Sequence, residues 1–268
     1  HVRSRRQRQM CIRDRSGHDA KYSMAGWRRV VMGSYDEMLV RLEKYRKSIP
    51  MKQKQMGQAI GVSQEQYSYL ENGNTKLTDK NLKALADTGA DIDYIITGEH
   101  FQYSADELED EINRAGKERD FALKMVANVM SEKIERGELQ NVSRSEAKLI
   151  EAMADSWDDF SMVNFVREEE QCSQIEMAQR LGVGIKKYRE LEKETLYPDA
   201  ELLLSLYNMS GYQPALFMNL CDRRMLAVKM LWSAFEAGDK SQLLDFVRNL
   251  RNIMQGNTDE QKNNDYRG

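Results

Sequence analysis

Proline is nearly absent from this chain, three residues in 268, and cysteine is equally scarce. No Val/Ile/Thr-rich alternating run bounded by turn residues appears either, so strands find little support and the sequence reads as all-α. Cys11, Cys172 and Cys221 are too few and too scattered for a disulfide framework or a zinc site; Cys172 reads instead as a small buried apolar residue. No stretch approaches the ~20 apolar residues of a membrane span, and no signal peptide with an apolar core precedes the first periodic segment, which makes a cytoplasmic protein the expectation. Histidine is rare as well. His1 and His18 lie in an atypical arm, which leaves His100 as the one imidazole for general-base work, and no Gly-rich phosphate loop or metal-ligand spacing accompanies it. An enzyme is therefore not expected, and no cofactor or metal is assigned. Carboxylate runs such as Asp158-Asp159 and Glu168-Glu169-Glu170 read as solvated helix faces.

What the chain does have is a stretch from Met51 to Gly73 that encodes two short helices, a turn and a stop. Met56 and Ile60 face inward from the first helix, Gly61 supplies the tight turn, and Ser63 caps the next helix with Gln66 as its capping-box partner. Tyr67 and Leu70 form the buried face of that second helix. Gln64, Glu65, Ser68 and Tyr69 fall on the opposite face, where a recognition helix presents polar edges to a major groove.

Residues 34–98 resemble the Cro/CI type of helix-turn-helix, the XRE-like family of phage and bacterial repressors. The resemblance rests on Gln53, Gly57, Gly61-Val62-Ser63 and Glu71-Asn72-Gly73, which stand where that family carries its opening Gln, small mid-helix residue, turn and helix stop. It implies a five-helix, lambda-repressor-like domain and an ion pair between Arg46 and Glu71. It also implies phosphate contacts from Gln53, Asn72, Asn74 and Lys76, and base contacts from Ser63, Gln64, Glu65, Ser68 and Tyr69. Two departures are Lys52, where a capping Thr is usual, and Glu65 at a common base-contacting position.

A shift of 121 residues carries Arg46, Gln53, Met56, Gly61, Val62, Tyr67, Leu70 and Glu71 onto Arg167, Gln174, Met177, Gly182, Val183, Tyr188, Leu191 and Glu192. Leu82 and Leu85 likewise map to Leu203 and Leu206, so a second domain is expected over 155–220, with Arg167 and Glu192 as its ion pair. Its first short helix gains a Ser173/Glu176 capping box that the first copy lacks, whereas its recognition helix opens at Gly184 without a serine oxygen. Charge separates the copies: residues 34–98 are net zero and residues 155–220 are net −6. Since duplex DNA carries one negative charge per roughly 1.7 Å, the first copy ranks ahead as a DNA binder. Gln174, Lys186, Lys187 and Arg189 are the second copy's candidates for DNA contact.

Residues 1–33 form a basic arm, net +7, read as non-native or disordered. The tract Met10–Ser16 resembles translated adapter sequence, and Met24 or Met32 is the expected natural start. Residues 99–154 read as a helical connector, with helix over 104–136, a turn at Gly116, and a further helix from Ser143 running on toward Gln171. Within 104–136 the apolar stripes are Phe121/Met125/Val129 and Ala122/Val126/Met130. Residues 221–256 read as a C-terminal helical hairpin with a turn at Gly238, and 257–268 as a disordered tail. Each domain thus carries a following helical hairpin, whose apolar stripes are expected to pack the two halves together, with a homodimer as the alternative.

Two functions fit. One is a sequence-specific, repressor-like transcriptional regulator whose first domain reads double-stranded DNA: Gln64 suits adenine, Glu65 can accept from cytosine N4, and Tyr69 can pack on a thymine methyl. The other is a protein-interaction module, such as an antitoxin, antirepressor or scaffold, that has lost DNA affinity and holds a protein partner on the acidic second domain.

Overall fold

The computed structural model describes residues 33–139 and 142–265, so the basic arm, Gly33 aside, lies outside the described residues. Among the described residues there are fourteen α-helices and no strand. The first five are α1 (Tyr35–Ser48), α2 (Gln53–Ala59), α3 (Gln64–Glu71), α4 (Asp79–Asp87) and α5 (Ile92–Thr97). Their ends follow from local chemistry. Ser34 and Glu37 box the start of α1, Thr78 and Asn81 that of α4, and Asp91 accepts from Tyr94 N–H to open α5. Gly98, at φ +83°, stops α5, and Arg41 donates to the carbonyls of Ile95 (2.8 Å) and Ile96 (2.7 Å), satisfying acceptors that a helix end leaves open. Met38, Leu42, Met56, Tyr67, Leu82, Leu85, Ile95 and Ile96 are fully buried between these helices, each contributing about 1.5–3 kcal/mol relative to exposure.

The connector holds α6 (Asp106–Asn113), a 3-10 turn at Gly116–Glu118, α7 (Arg119–Glu135) and α8 (Arg144–Asp155). Gly116 breaks the first segment as expected, at φ +60°. Of the two apolar stripes on α7, the one through Ala122, Val126 and Met130 is buried, while Phe121 of the other stays 47% exposed.

The helix expected to run unbroken from Ser143 toward Gln171 does not. It ends at Asp155, and α9 (Met162–Glu169) starts anew behind Ser161. Neither Gly nor Pro makes this break. The chain turns so that Trp157 can be buried with its Nε1–H donating to Asp120 Oδ2 (3.2 Å) and the Arg224 guanidinium 4.9 Å over its ring.

After α9 come α10 (Gln174–Arg180), α11 (Ile185–Glu192), α12 (Ala200–Ser210), a 3-10 segment at Pro214–Phe217, α13 (Arg223–Trp232) and α14 (Ala237–Asp265). Helices α10, α11 and α12 each begin 121 residues after α2, α3 and α4. The break before α14 falls at 233–236 rather than at Gly238, which lies inside the helix. Helix α14 also continues to Asp265, into the stretch read as a tail; that stretch has no proline, and Gly256 alone costs a helix only about 1 kcal/mol.

A second layer forms where α7 packs against α8, α13 and α14, with α8 on α13 and α14 also on α6. Buried Glu111 of α6 pins α14 there, accepting from Arg248 Nε (3.3 Å) and Arg251 Nη1 (2.7 Å). Burial acts against the charge of Glu111, but Arg248, Arg251 and Arg114 hold its pKa below the ordinary value. The two halves are thus packed against each other within one chain.

Candidate nucleic-acid interface

The turn between α2 and α3 is built by two glycines with different tasks. Gly61 adopts φ +76°, which favours glycine, and Val62 N–H bonds back to Gly57 O at 2.8 Å. Gly57 lets the backbone of the turn approach: a Cβ there would lie 3.0 Å from Val62 O and 3.1 Å from Ser63 O. Ser63 Oγ then accepts from Gln66 N–H (3.1 Å) while Gln66 Oε1 accepts from Ser63 N–H (2.9 Å), the expected capping box. Lys52 has no side-chain acceptor, so α2 keeps only half of such a box, Gln55 Oε1 accepting from Lys52 N–H at 2.9 Å.

Helix α3 is held from beneath. Glu71 accepts from Arg46 Nε (2.7 Å), Gln53 Nε2 (2.7 Å) and, at longer range, Tyr67 Oη (3.4 Å), and Arg46 also donates to Met51 O (3.1 Å). The Arg46 and Glu71 side chains are only 12% and 6% exposed. Burial first, then the adjacent Glu71 carboxylate, push the Tyr67 phenol well above its ordinary pKa, so it stays a neutral donor. With Tyr67 and Leu70 buried beneath it, α3 turns Gln64, Glu65 and Tyr69 outward, Tyr69 being 54% exposed, with Ser68 half-buried and Ser63 exposed beside them.

The residues assigned to phosphates stand in unlike settings. Asn72 and Asn74 are exposed, Asn72 Nδ2 lying 3.4 Å from Ser68 Oγ. Gln53 gives one amide proton to Glu71, and an amide nitrogen carries two, so one remains for another acceptor. Lys76 is ion-paired with Glu201 of α12, a partner that the sequence reading did not assign. A signal for it was present: Glu201 stands 121 residues after Lys80, with the charge inverted.

Around α11 the same bonds recur. Glu192 accepts from Arg167 Nε (2.6 Å), Gln174 Nε2 and Tyr188 Oη (2.9 Å), and Arg167 reaches Cys172 O (3.3 Å) as Arg46 reaches Met51 O. Gly182 turns at φ +64°, and Gly184 caps α11 without a side-chain bond. Of the second set of candidates, Lys186 and Arg189 are exposed, with Arg189 Nε donating to Gln174 Oε1 (3.2 Å), while Lys187 pairs with Asp199 (3.3 Å). The charge contrast counted along the sequence is softened in space. Lys76, Lys148 and Arg223, all outside residues 155–220, pair with Glu201, Glu169 and Glu194 within them, and Lys124 approaches Asp158 at 4.0 Å.

His100 belongs to neither surface. Its Nδ1 is 2.8 Å from Asp91 Oδ2 and its ring stacks on Tyr94 at 4.2 Å, an exposed arrangement at the end of α5. Cys172 is buried, as expected, and Cys221 is exposed. No helix among the described residues is long and apolar enough to cross a membrane.

Residues 42–88, from within α1 through α4, match the family model described as helix-turn-helix. The match covers this one segment, and at that level the function is DNA binding of the transcription-regulator type. No curated protein and no solved structure matches the chain.

Proposed function

We propose that the chain is a sequence-specific, repressor-like regulator that inserts α3 into the major groove of double-stranded DNA. The observation that carries this reading is the division of α3 into two faces: Tyr67, Leu70 and Glu71 fixed in the unit, and Gln64, Glu65, Ser68 and Tyr69 outside it. A rigid helix with a free polar row is what direct readout requires, because a bidentate contact from Gln64 to adenine discriminates only if the helix cannot shift. Ser63 keeps a hydroxyl proton to donate even while its oxygen caps α3. Asn72, Asn74 and the second amide proton of Gln53 fix register on the phosphates. Lys76 reaches a phosphate only by leaving Glu201, and both side chains of that pair are more than 40% exposed, so the exchange costs little. The competing protein-interaction reading drew its strength from the acidic second domain, much of whose charge is met by cations from elsewhere in the chain.

The test is selection of duplexes from a random pool by the full chain, followed by binding across a salt series. An enriched motif is expected, with Gln64→Ala relaxing one of its positions at a cost of about 1–3 kcal/mol and Lys76→Ala weakening all duplexes while lowering the salt slope. Recovery of no motif, with no salt-dependent binding, refutes the reading.

A further inference from the structure

Residues near a two-fold axis betray it by touching their own counterparts, because the operation that exchanges the two halves leaves such contacts in place. Under the 121-residue offset the counterpart of Asp93 is residue 214, and Asp93 Oδ1 accepts from Ala215 N–H at 2.8 Å. The counterpart of Leu77 is residue 198, and Leu77 O accepts from Ala200 N–H at 3.0 Å. Helix α5 packs on the 3-10 segment Pro214–Phe217, which occupies its own place in the second unit.

The second layer obeys the same exchange. In order along the chain, α6 and α7 follow the first unit as α13 and α14 follow the second. Helix α7 packs on α14, its own counterpart, and the remaining cross-contacts form an exchanged pair, α6 with α14 and α13 with α7. Helix α8 has no counterpart, and α5 also packs on α12, so the relation is approximate. Four separate sets of contacts, at α5 and the 3-10 segment, at Leu77 and Ala200, at α7 and α14, and in the exchanged pair, are nevertheless consistent with one two-fold exchange of the units.

We propose that one chain is an internal pseudo-dimer in which α3 and α11 read two half-sites of a single duplex, with Arg189 reading guanine in the second. This rests on the DNA-reading assignment of α3. Two-fold arrangements of such helices serve half-sites about 10–10.5 base pairs apart, and here a single polypeptide supplies both. The two reading faces differ, so the half-sites differ: Lys186 and Arg189 stand on α11 where Glu65 and Ser68 stand on α3. Gln174 steadies the Arg189 guanidinium through Nε, and its terminal nitrogens are the pair that a bidentate contact to guanine O6 and N7 needs.

The same selection from random duplexes decides the matter, read for the form of the motif and for stoichiometry. The expected result is two unlike half-sites about one helical turn apart, bound by one chain per duplex. Arg189→Ala should degrade only the half-site not degraded by Gln64→Ala, with affinity falling roughly tenfold to a hundredfold. Arg189→Lys should keep much of the affinity and lose the guanine preference. Arg189 is exposed, so thermal unfolding of both variants should match the parent chain, separating a lost contact from a lost fold. A motif with one half-site, a symmetric motif holding two chains, or a motif unchanged by Arg189→Ala overturns the pseudo-dimer and leaves the α3 reading standing. Recovery of no motif defeats both.

Discussion

Glu71 and Glu192 accept the same three kinds of side chain, an arginine, a glutamine and a tyrosine, yet the helices they close present unlike faces. On α3 the row opposite the core is Gln64, Glu65, Ser68 and Tyr69; the matching positions of α11 hold Ile185, Lys186, Arg189 and Glu190, of which Lys186 and Arg189 are exposed and Ile185 packs on the core. The framework that fixes a short helix is therefore separable from the surface the helix displays. A buried carboxylate with several donors locks position, while the outer row is free to change with whatever it contacts.

The strongest way to break the comparison is to remove the lock. Glu71→Ala strands Arg46 in a setting only 12% exposed, and loss of one partner from a buried pair typically costs about 3–5 kcal/mol. Glu192→Ala removes the main partner of Arg167, 19% exposed, but leaves it Asn164 and, at 3.6 Å, Glu168, so it should cost somewhat less. Urea unfolding of the two variants measures this directly. A large loss in one and a negligible loss in the other would mean that the repeated bonds do not carry repeated energy.

A smaller effect probes the contact that joins the units. Burial first, and then the neighbouring Asp91 charge, push the Asp93 carboxyl up to about 7 despite the bond from Ala215 N–H. The folded state thus holds a proton that the unfolded state gives up near the ordinary value of 3.8. Between about pH 4 and pH 7 the folded form binds more protons, so Asp93 lowers stability progressively as pH rises through that window and leaves it unchanged above. Asp93→Asn keeps an oxygen for Ala215 N–H and removes the charge. It should stabilise the chain at pH 8 by about 1–2 kcal/mol, discounted for partial solvent access, and change little at pH 4. Equal thermal midpoints for variant and parent at pH 8 would remove Asp93 from the account of the interface.

Local chemistry made the α2/α3 and α10/α11 segments legible in the sequence. Caps at Ser63 and Ser173, turns at Gly61 and Gly182, and apolar spacing through Tyr67 and Leu70 each act within a few residues, and the structure has them where the pattern puts them. What escaped were features set by distant partners. The break at 156–161 follows from burying Trp157 against α7 and α13, which no helix-breaking residue announces. The Lys76–Glu201 pair joins residues 125 positions apart, and only the inverted charge at Lys80 and Glu201 hinted at it. Net charge has the same blind spot: counted along residues 155–220 it omits the cations that fold onto them from outside.

The smallest effect sharpens the comparison most, because it lies at the cap of α3 and α11 themselves, where the units differ. Ser63 closes a capping box on α3, while Gly184 opens α11 with no side-chain bond. Ser63→Ala should cost about 1 kcal/mol, whereas Ser63→Gly should cost only a few tenths, since glycine leaves the first-turn N–H groups open to water. Gly184 already has the extended backbone of a capping residue, φ −70° and ψ 147°, and a Cβ there meets nothing within 4 Å. Gly184→Ser should therefore stabilise the chain by a few tenths of a kcal/mol. In a chain of this size 1 kcal/mol moves the thermal midpoint by about 2–4 °C, so Ser63→Ala is readable by melting and the glycine exchanges call for urea titration. Ser63→Gly has a further use. It removes the hydroxyl from the proposed reading surface at almost no cost to the fold, so any loss of DNA binding beyond a few tenths of a kcal/mol belongs to a contact of Ser63 and not to its cap.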